Sequence, residues 1–202
     1  MTDTARRTSD SRRTAIYIVI AMVALMWALE VVDVALDHRL DRYGIEPREP
    51  DGLEGVVAAP FLHVGFGHLI ANTIPFVLMG VVIAFEGPWR LVAVMAIVAI
   101  VSGLGTWLVA PENTIHLGAS GVVFGFATYL IARGLFNRRA GELAIGVGVA
   151  VLWGGALLGG LEPQRGISWQ GHLFGALGGV LAAWALARPP ERAYARAPSQ
   201  TS

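Results

Sequence analysis

Gly65-Phe-Gly-His68-Leu-Ile-Ala-Asn72-Thr-Ile-Pro-Phe-Val-Leu-Met-Gly-Val-Val-Ile-Ala-Phe85 runs for 21 residues without Asp, Glu, Lys or Arg. At ~1.5 Å per residue, a helix of this length covers about the 30 Å of a bilayer's hydrocarbon core. Its most polar residues are gathered at one end. His68 and Asn72 are four apart, which puts them on one helix face. Polar groups are costly inside a membrane and are kept there for a purpose. The stretch therefore predicts a transmembrane helix that carries a polar site at one end.

Five further apolar runs extend the pattern. The spans expected are Ala15–Leu36, Gly65–Phe85, Leu91–Ala110, Ala119–Phe136, Leu143–Leu161 and Gly171–Ala187. They are joined by a long polar loop (37–62), a Gly-Pro turn (86–90) and three shorter loops. Of the 202 residues 54% are hydrophobic and 15% charged, against about a quarter charged in soluble domains. Mean hydropathy is +0.58. The runs do not alternate apolar with polar, which excludes a transmembrane β-barrel. The fold class expected is an all-α integral membrane bundle of six helices, with one domain over residues 15–187 and disordered polar ends at 1–14 and 188–202. The run after Arg12 and Arg13 is too long for a signal-peptide core and lacks a cleavage site, so it is expected to remain as the first helix.

With zero formal net charge nothing points to nucleic acid, and the absence of Cys excludes disulfides and thiol chemistry. Lys is absent as well, so all 15 basic residues are Arg, a composition that suggests a GC-rich bacterial genome. If the N-terminus is cytoplasmic, 11 of these arginines fall on the inner side, Arg188, Arg192 and Arg196 among them. Only Arg39, Arg42, Arg48 and Arg165 fall outside. Both termini are thus expected in the cytoplasm, with Trp89 and Trp184 at the inner interface and Trp107 and Trp169 at the outer one.

In that orientation every even-numbered span starts on the outer side. The second opens with His63-Val-Gly-Phe-Gly-His68, the fourth with Gly118-Ala-Ser120-Gly121, and the sixth with Gly171-His172-Leu-Phe-Gly175. Topology alone therefore collects three polar clusters at one depth. Gly121 and Gly125, and Gly171, Gly175 and Gly179, form stripes that allow two backbones to approach closely. Such an approach is what Ser120 and His172 need, because a serine hydroxyl is a poor nucleophile until a base takes its proton. Taking Arg133 as the inner boundary, residues 119–132 span about 21 Å. Ser120 is then expected roughly 9 Å below the outer surface of a ~30 Å core. The preceding loop must dip inward to line a wet cavity.

His-xxxx-His-xxx-Asn, Gly-x-Ser-Gly and Gly-His-xx-Gly, in this order on the second, fourth and sixth spans, resemble the rhomboid intramembrane serine proteases. The resemblance covers residues 15–187. It implies that Ser120 attacks a peptide carbonyl in or next to a transmembrane segment, with His172 as general base and then acid. It further implies that His68, Asn72 and the Ser120 amide stabilise the oxyanion, that His63 supports the outer loop, and that Gly118 and Gly121 shape the nucleophile's surroundings. The partners implied are transmembrane protein substrates within the lipid bilayer, and no cofactor, metal or nucleic acid. The setting implied is a bacterial cytoplasmic membrane with the site toward its outer side. The Trp-Arg pair common in the family's first outer loop is missing from Asp37–Gly44, and no carboxylate lies near His172 in sequence, so a dyad is expected.

Each of these residues also has a plainer reading. Ser120 alone would be a packing residue, and His68 with Asn72 an interhelical hydrogen bond. A zinc site on His63, His68 and His172 is disfavoured by the i, i+5 spacing and the lack of a carboxylate. His116 is expected in loop structure, and His38 in solvent. Glu30 and Asp33 are expected to reach the aqueous edge and pair with Arg39 or Arg42, and Glu86 with Arg90 to cap the inner face. The Gly-rich fifth span is expected to be a lateral gate for substrate. Gly118–Gly121 is not the hydrolase elbow, as position 122 is Val and no strand precedes it. Two other functions are a catalytically silent relative that binds transmembrane helices, against which both Ser120 and His172 argue, and a transporter, which would need polar lining at full depth.

Overall fold

A computed structural model describes residues 3–164 and 166–187. The expected tail at 188–202 and Arg165 lie outside the described residues. Among these, the chain is helical: α1 (Asp3–Ala35), α2 (Gly55–Ala58), α3 (Gly65–Ala84), α4 (Pro88–Val109), α5 (Ser120–Asn137), α6 (Ala140–Gly159) and α7 (Trp169–Ala185). Three short 3-10 turns punctuate the outer loop. The six long helices fall on the six expected spans. Four of them, α1, α3, α4 and α6, are long and apolar enough to cross a membrane. The outward faces carry large apolar side chains throughout, Val151 at 77% exposed and Ile74 at 57% among them. Soluble proteins do not expose so much apolar surface, so the chain is an integral membrane protein.

α1 departs from expectation at its start. Residues 3–14 continue the helix instead of fraying. Once an apolar span has nucleated a helix, each added residue costs little, and Ala and Arg are good helix formers. Thr14 Oγ1 donates to the Asp10 carbonyl (3.0 Å), and the Arg12 guanidinium lies over the Phe85 ring at the end of α3.

α5 is the central helix, in contact with α3, α4, α6 and α7, and its tightest partner is α7. The glycine stripes explain that contact. A Cβ on Gly175 would lie 2.1 Å from the Gly121 carbonyl oxygen, and one on Gly179 2.0 Å from that of Gly125. Only glycine permits this approach. Ser102 of α4 packs beside Gly121 and joins α4 to α7 by donating to the Gly171 carbonyl (2.8 Å). α6, in contrast, has α5 as its one substantial neighbour, and Gly148, Gly154, Gly155 and Gly159 face open space.

At the end of α3 the Gly-Pro turn forms with Gly87 at φ +104° and Pro88 opening α4. Glu86 beside it accepts from Tyr129 (3.1 Å) and from Arg133, and pairs with Arg90 (3.8 Å). The expected cap thus recruits Arg133, which is buried. At the opposite end the outer loop is bound to the helices although it lacks Trp-Arg. Arg48 donates to the carbonyls of Leu108 and Ala110 and to Glu112, and Trp107 Nε1 donates to the Glu49 carbonyl.

The acidic pair on α1 also differs from expectation. Asp33 accepts from the Leu40 amide (2.7 Å) and bonds His38 Nδ1 (3.1 Å), and no arginine pairs with it among the described residues. Glu30 is 1% exposed with neither carboxyl oxygen hydrogen-bonded. The chain turns back on itself just after Ala35, so local groups occupy Asp33 before Arg39 or Arg42 can reach it. His38, expected in solvent, is half exposed and held by that bond.

Candidate active site

Ser120 is the first residue of α5, and its position follows from the two residues before it. Gly118 has φ +119°, a value that L side chains rarely adopt, and its amide donates to the Ala59 carbonyl (2.8 Å). The Ala119 amide donates to His63 Nε2 (3.3 Å). Both bonds anchor the entry into α5 to the segment just ahead of α3. Burial and the neighbouring His68 push the His63 pKa down to about 4, so its Nε2 is free to accept. The two rings meet edge to face at 5.2 Å.

From the first turns of α3, His68 and Asn72 reach across to Gly118. A Cβ there would lie 2.9 Å from His68 Nε2 and 3.6 Å from Asn72 Nδ2. Asn72 is 5% exposed and its Nδ2 has no hydrogen-bond partner. An unpaired buried donor costs about 1–3 kcal/mol, and this one is open to an acceptor in the space beside Gly118.

His172 stands in the first turn of α7. Its ring stacks on Phe124 (4.1 Å between centroids, 9° between planes), one turn below Ser120 on α5. Its Nδ1 lies 2.7 Å from the Gly160 carbonyl oxygen. A carbonyl can only accept, so Nδ1 carries the proton and Nε2 is left with its lone pair. No hydrogen bond joins Ser120 to His172 among the described residues. Phe124 is the residue that sequence analysis missed. The i, i+4 relation to Ser120 was available as a signal, whereas the Gly160 carbonyl had none.

One cavity of about 1320 Å³ takes in His68, Asn72, Ser120, Phe124 and His172. One end is lined by the loop 111–117 and its lateral walls are α3 and α6, through Ile74 and Pro75 on one side and Trp153 and Leu157 on the other. Pro75 has no N–H for the carbonyl of Ala71, a residue that also lines the cavity. His116, as expected, serves loop structure. It pairs with Ile45 through two backbone bonds, and its ring bridges Thr114 and Ser168, both at 2.8 Å. Ser168 in turn caps α7 by accepting from the Gly171 amide. Burial lowers the His116 pKa, because desolvation penalises the charged ring. Of the expected site residues, Ser120, His172, His68 and Asn72 share the cavity, His63 and Gly118 brace it, and Gly121 lies at the α5–α7 contact.

Comparison with known proteins converges on one family. Residues 51–189 match the rhomboid domain. An uncharacterized protein of Mycobacterium tuberculosis is 43% identical over 185 residues, which is 88% of this chain and 77% of the relative. YdcA of Bacillus subtilis, provisionally named a rhomboid protease, is 30% identical over 135 residues, 66% of this chain and 67% of its own. GluP of the same organism, named a rhomboid protease, is 29% identical over 136 residues, 67% of this chain and 26% of GluP.

Proposed function

The chain belongs to the rhomboid family, and from that premise we propose that it is an intramembrane serine endopeptidase with Ser120 as nucleophile and His172 as its base. The observation that carries the proposal is the tautomer of His172. With Nδ1–H held by the Gly160 carbonyl and the ring fixed against Phe124, the basic Nε2 is the nitrogen left for chemistry, in the same cavity as Ser120. The pair is open in the resting enzyme. Catalytic hydrogen bonds often close only when substrate is bound.

In the reaction Nε2 takes the Ser120 proton as Oγ attacks the peptide carbonyl. The imidazolium then returns the proton to the leaving amine. The oxyanion is received where Asn72 Nδ2, His68 and the Ser120 amide converge around Gly118. Water deacylates the enzyme from the cavity. A substrate helix hides its carbonyls in its own hydrogen bonds, so cleavage is expected near helix-breaking or small residues.

The chain crosses the membrane six times with both termini in the cytoplasm of a bacterium, and the site faces outward. The membrane domain spans residues 15–187, with the first turns of α1 projecting on the inner side. Substrates enter sideways from lipid, with α6 as the moving wall.

Cleavage of a transmembrane reporter in liposomes is the test, comparing wild type with Ser120→Ala and His172→Ala. Loss of cutting in both variants, with thermal unfolding unchanged, is the expected outcome. Variants that cut like wild type would sink the assignment. If nothing cuts, fluorophosphonate labelling at Ser120 separates a mismatched reporter (labelled) from a silent helix-binding relative (unlabelled).

A further inference from the structure

His116 lies just ahead of Ser120 in the chain, and its ring reaches a residue 52 positions further on. Its backbone pairs with Ile45 in both directions (2.8 and 3.0 Å), and the Gly118 amide bonds the Ala59 carbonyl, so the segment leading into Ser120 is held to the outer loop. The two ring nitrogens face two hydroxyls, Thr114 Oγ1 at Nε2 and Ser168 Oγ at Nδ1, both at 2.8 Å. Ser168 is the cap of α7: its Oγ accepts from the Gly171 amide (3.3 Å), and its carbonyl accepts from the His172 amide (3.1 Å). One hydrogen bond therefore joins the approach to Ser120 to the residue that opens the helix of His172.

The direction of each bond follows by elimination. Thr114 gives its one hydroxyl hydrogen to the Pro111 carbonyl (2.5 Å), so its Oγ1 can only accept from His116. Nε2 then carries the ring proton, and Nδ1 of the neutral ring accepts from the Ser168 hydroxyl. Burial holds the His116 pKa below the ordinary 6.5, so at pH 8 the ring is in this neutral form. Ser168 Oγ keeps a lone pair for the Gly171 amide. Every donor meets an acceptor along the run from Gly171 through Ser168, His116 and Thr114 to Pro111, and bonds in such a chain strengthen one another.

We propose that His116 is a positioning residue for catalysis: through Ser168 it sets the first turn of α7, and with it His172, relative to Ser120. The inference rests on the protease reading. Among the described residues no hydrogen bond joins Ser120 to His172, so their separation depends on what holds each backbone. The glycine contacts, Gly121 with Gly175 and Gly125 with Gly179, set how closely α5 and α7 approach. They do not secure the start of α7. The amides of a helix's first turn have no acceptors within the helix, and that turn frays unless it is capped. A cap can place a side chain only if it is itself anchored, and His116 anchors Ser168 to the segment that carries the nucleophile.

Two substitutions test this in the full chain in detergent at pH 8. His116→Asn keeps an acceptor at the Nδ1 position, toward Ser168, and loses the donor at Nε2. His116→Gln keeps that donor, toward Thr114, and loses the acceptor. In cleavage of a transmembrane reporter, His116→Gln should lower kcat by about tenfold or more, with KM within about twofold of wild type. His116→Asn should retain most of kcat. Ser168→Ala should behave as His116→Gln does, and the double variant should lose little more, because both changes break one link. It also carries the same measurements should His116→Gln fail to fold. A raised KM with kcat unchanged would make His116 a substrate contact and overturn the proposal. Equal losses in the Asn and Gln variants overturn it too, as does a double variant whose losses multiply. A readout without turnover separates this inference from the protease reading. With ¹⁵N-labelled histidine, the Nδ1–H signal of His172, identified by its loss in His172→Ala, should shift or broaden in His116→Gln and stay in place in His116→Asn. If wild type neither cuts nor takes a fluorophosphonate, the protease reading fails; an unmoved His172 signal in His116→Gln overturns the positioning role whether or not the enzyme cuts.

Discussion

Asn72 illustrates what a single side chain contributes at this site. Its Nδ2 is buried and unpaired beside Gly118, which is destabilising in the resting protein and, under the proposed mechanism, is offset when an oxyanion forms there. Asn72→Ala is therefore expected to lower kcat by about 100-fold or more, with KM little changed and stability equal or slightly improved. A kcat loss below about threefold in reporter cleavage would remove Asn72 from the oxyanion site. His63 makes a different prediction, through pH. Its folded pKa of about 4 lies below the ordinary 6.5, so between those values the unfolded chain binds a proton that the folded chain refuses. Stability is thus fully present above about pH 6.5 and is lost as pH falls toward 4. For a residue 2% exposed the loss is on the order of 3 kcal/mol. Thermal unfolding across that window should show the decline in wild type and a shallower one in His63→Gln; identical slopes would count against His63 as its source.

Among the helices, the α5–α7 contact and the isolation of α6 have opposite consequences. Gly175→Val places a side chain against the Gly121 carbonyl, where even a Cβ has only 2.1 Å. It should destabilise the protein by about 1–3 kcal/mol or more and abolish cleavage by separating Ser120 from His172. Gly155→Ala on α6 meets nothing within 4 Å and should be silent in the same unfolding and cleavage assays. If α6 is the moving wall, linking it to α3 should stop turnover. Because the chain has no native Cys, cysteines at Ile74 and Trp153 can be cross-linked without background. Cleavage that persists after complete cross-linking would dispose of the gate. The outer loop shows how an element can be held without the family's usual Trp-Arg pair. Arg48 keeps a left-handed backbone, φ +63°, that a non-glycine residue adopts only when its surroundings require it, and its hydrogen bonds to α4 and Glu112 supply that requirement.

On the scale of the whole molecule, the arginine distribution predicts that both termini face the cytoplasm. Green fluorescent protein fused to either end should fluoresce in a bacterial host, and alkaline phosphatase inserted after Glu112 should be active. The reverse pattern would invert the topology and place the site inward. Bilayer crossing, helix positions and the gathering of Ser120, His68, Asn72 and His172 at one end were all legible in the sequence. Hydrophobic run length and helical spacing are local properties, and an even-odd count of spans then orders the polar residues by depth. The glycine stripes also announced the α5–α7 contact. The partners of those residues were not legible. Phe124 against the His172 ring, the Gly160 carbonyl on Nδ1, and His63 on the Ala119 amide each join segments far apart in the chain. So does the pairing of Glu86 with Arg133. The acidic pair of α1 departs from expectation for the same kind of reason: charge alone suggests arginine partners, while the turn after Ala35 brings His38 and the Leu40 amide to Asp33 first. Composition and periodicity constrain which surfaces are buried and at what depth. Which donor meets which acceptor depends on backbone paths that only packing in three dimensions selects.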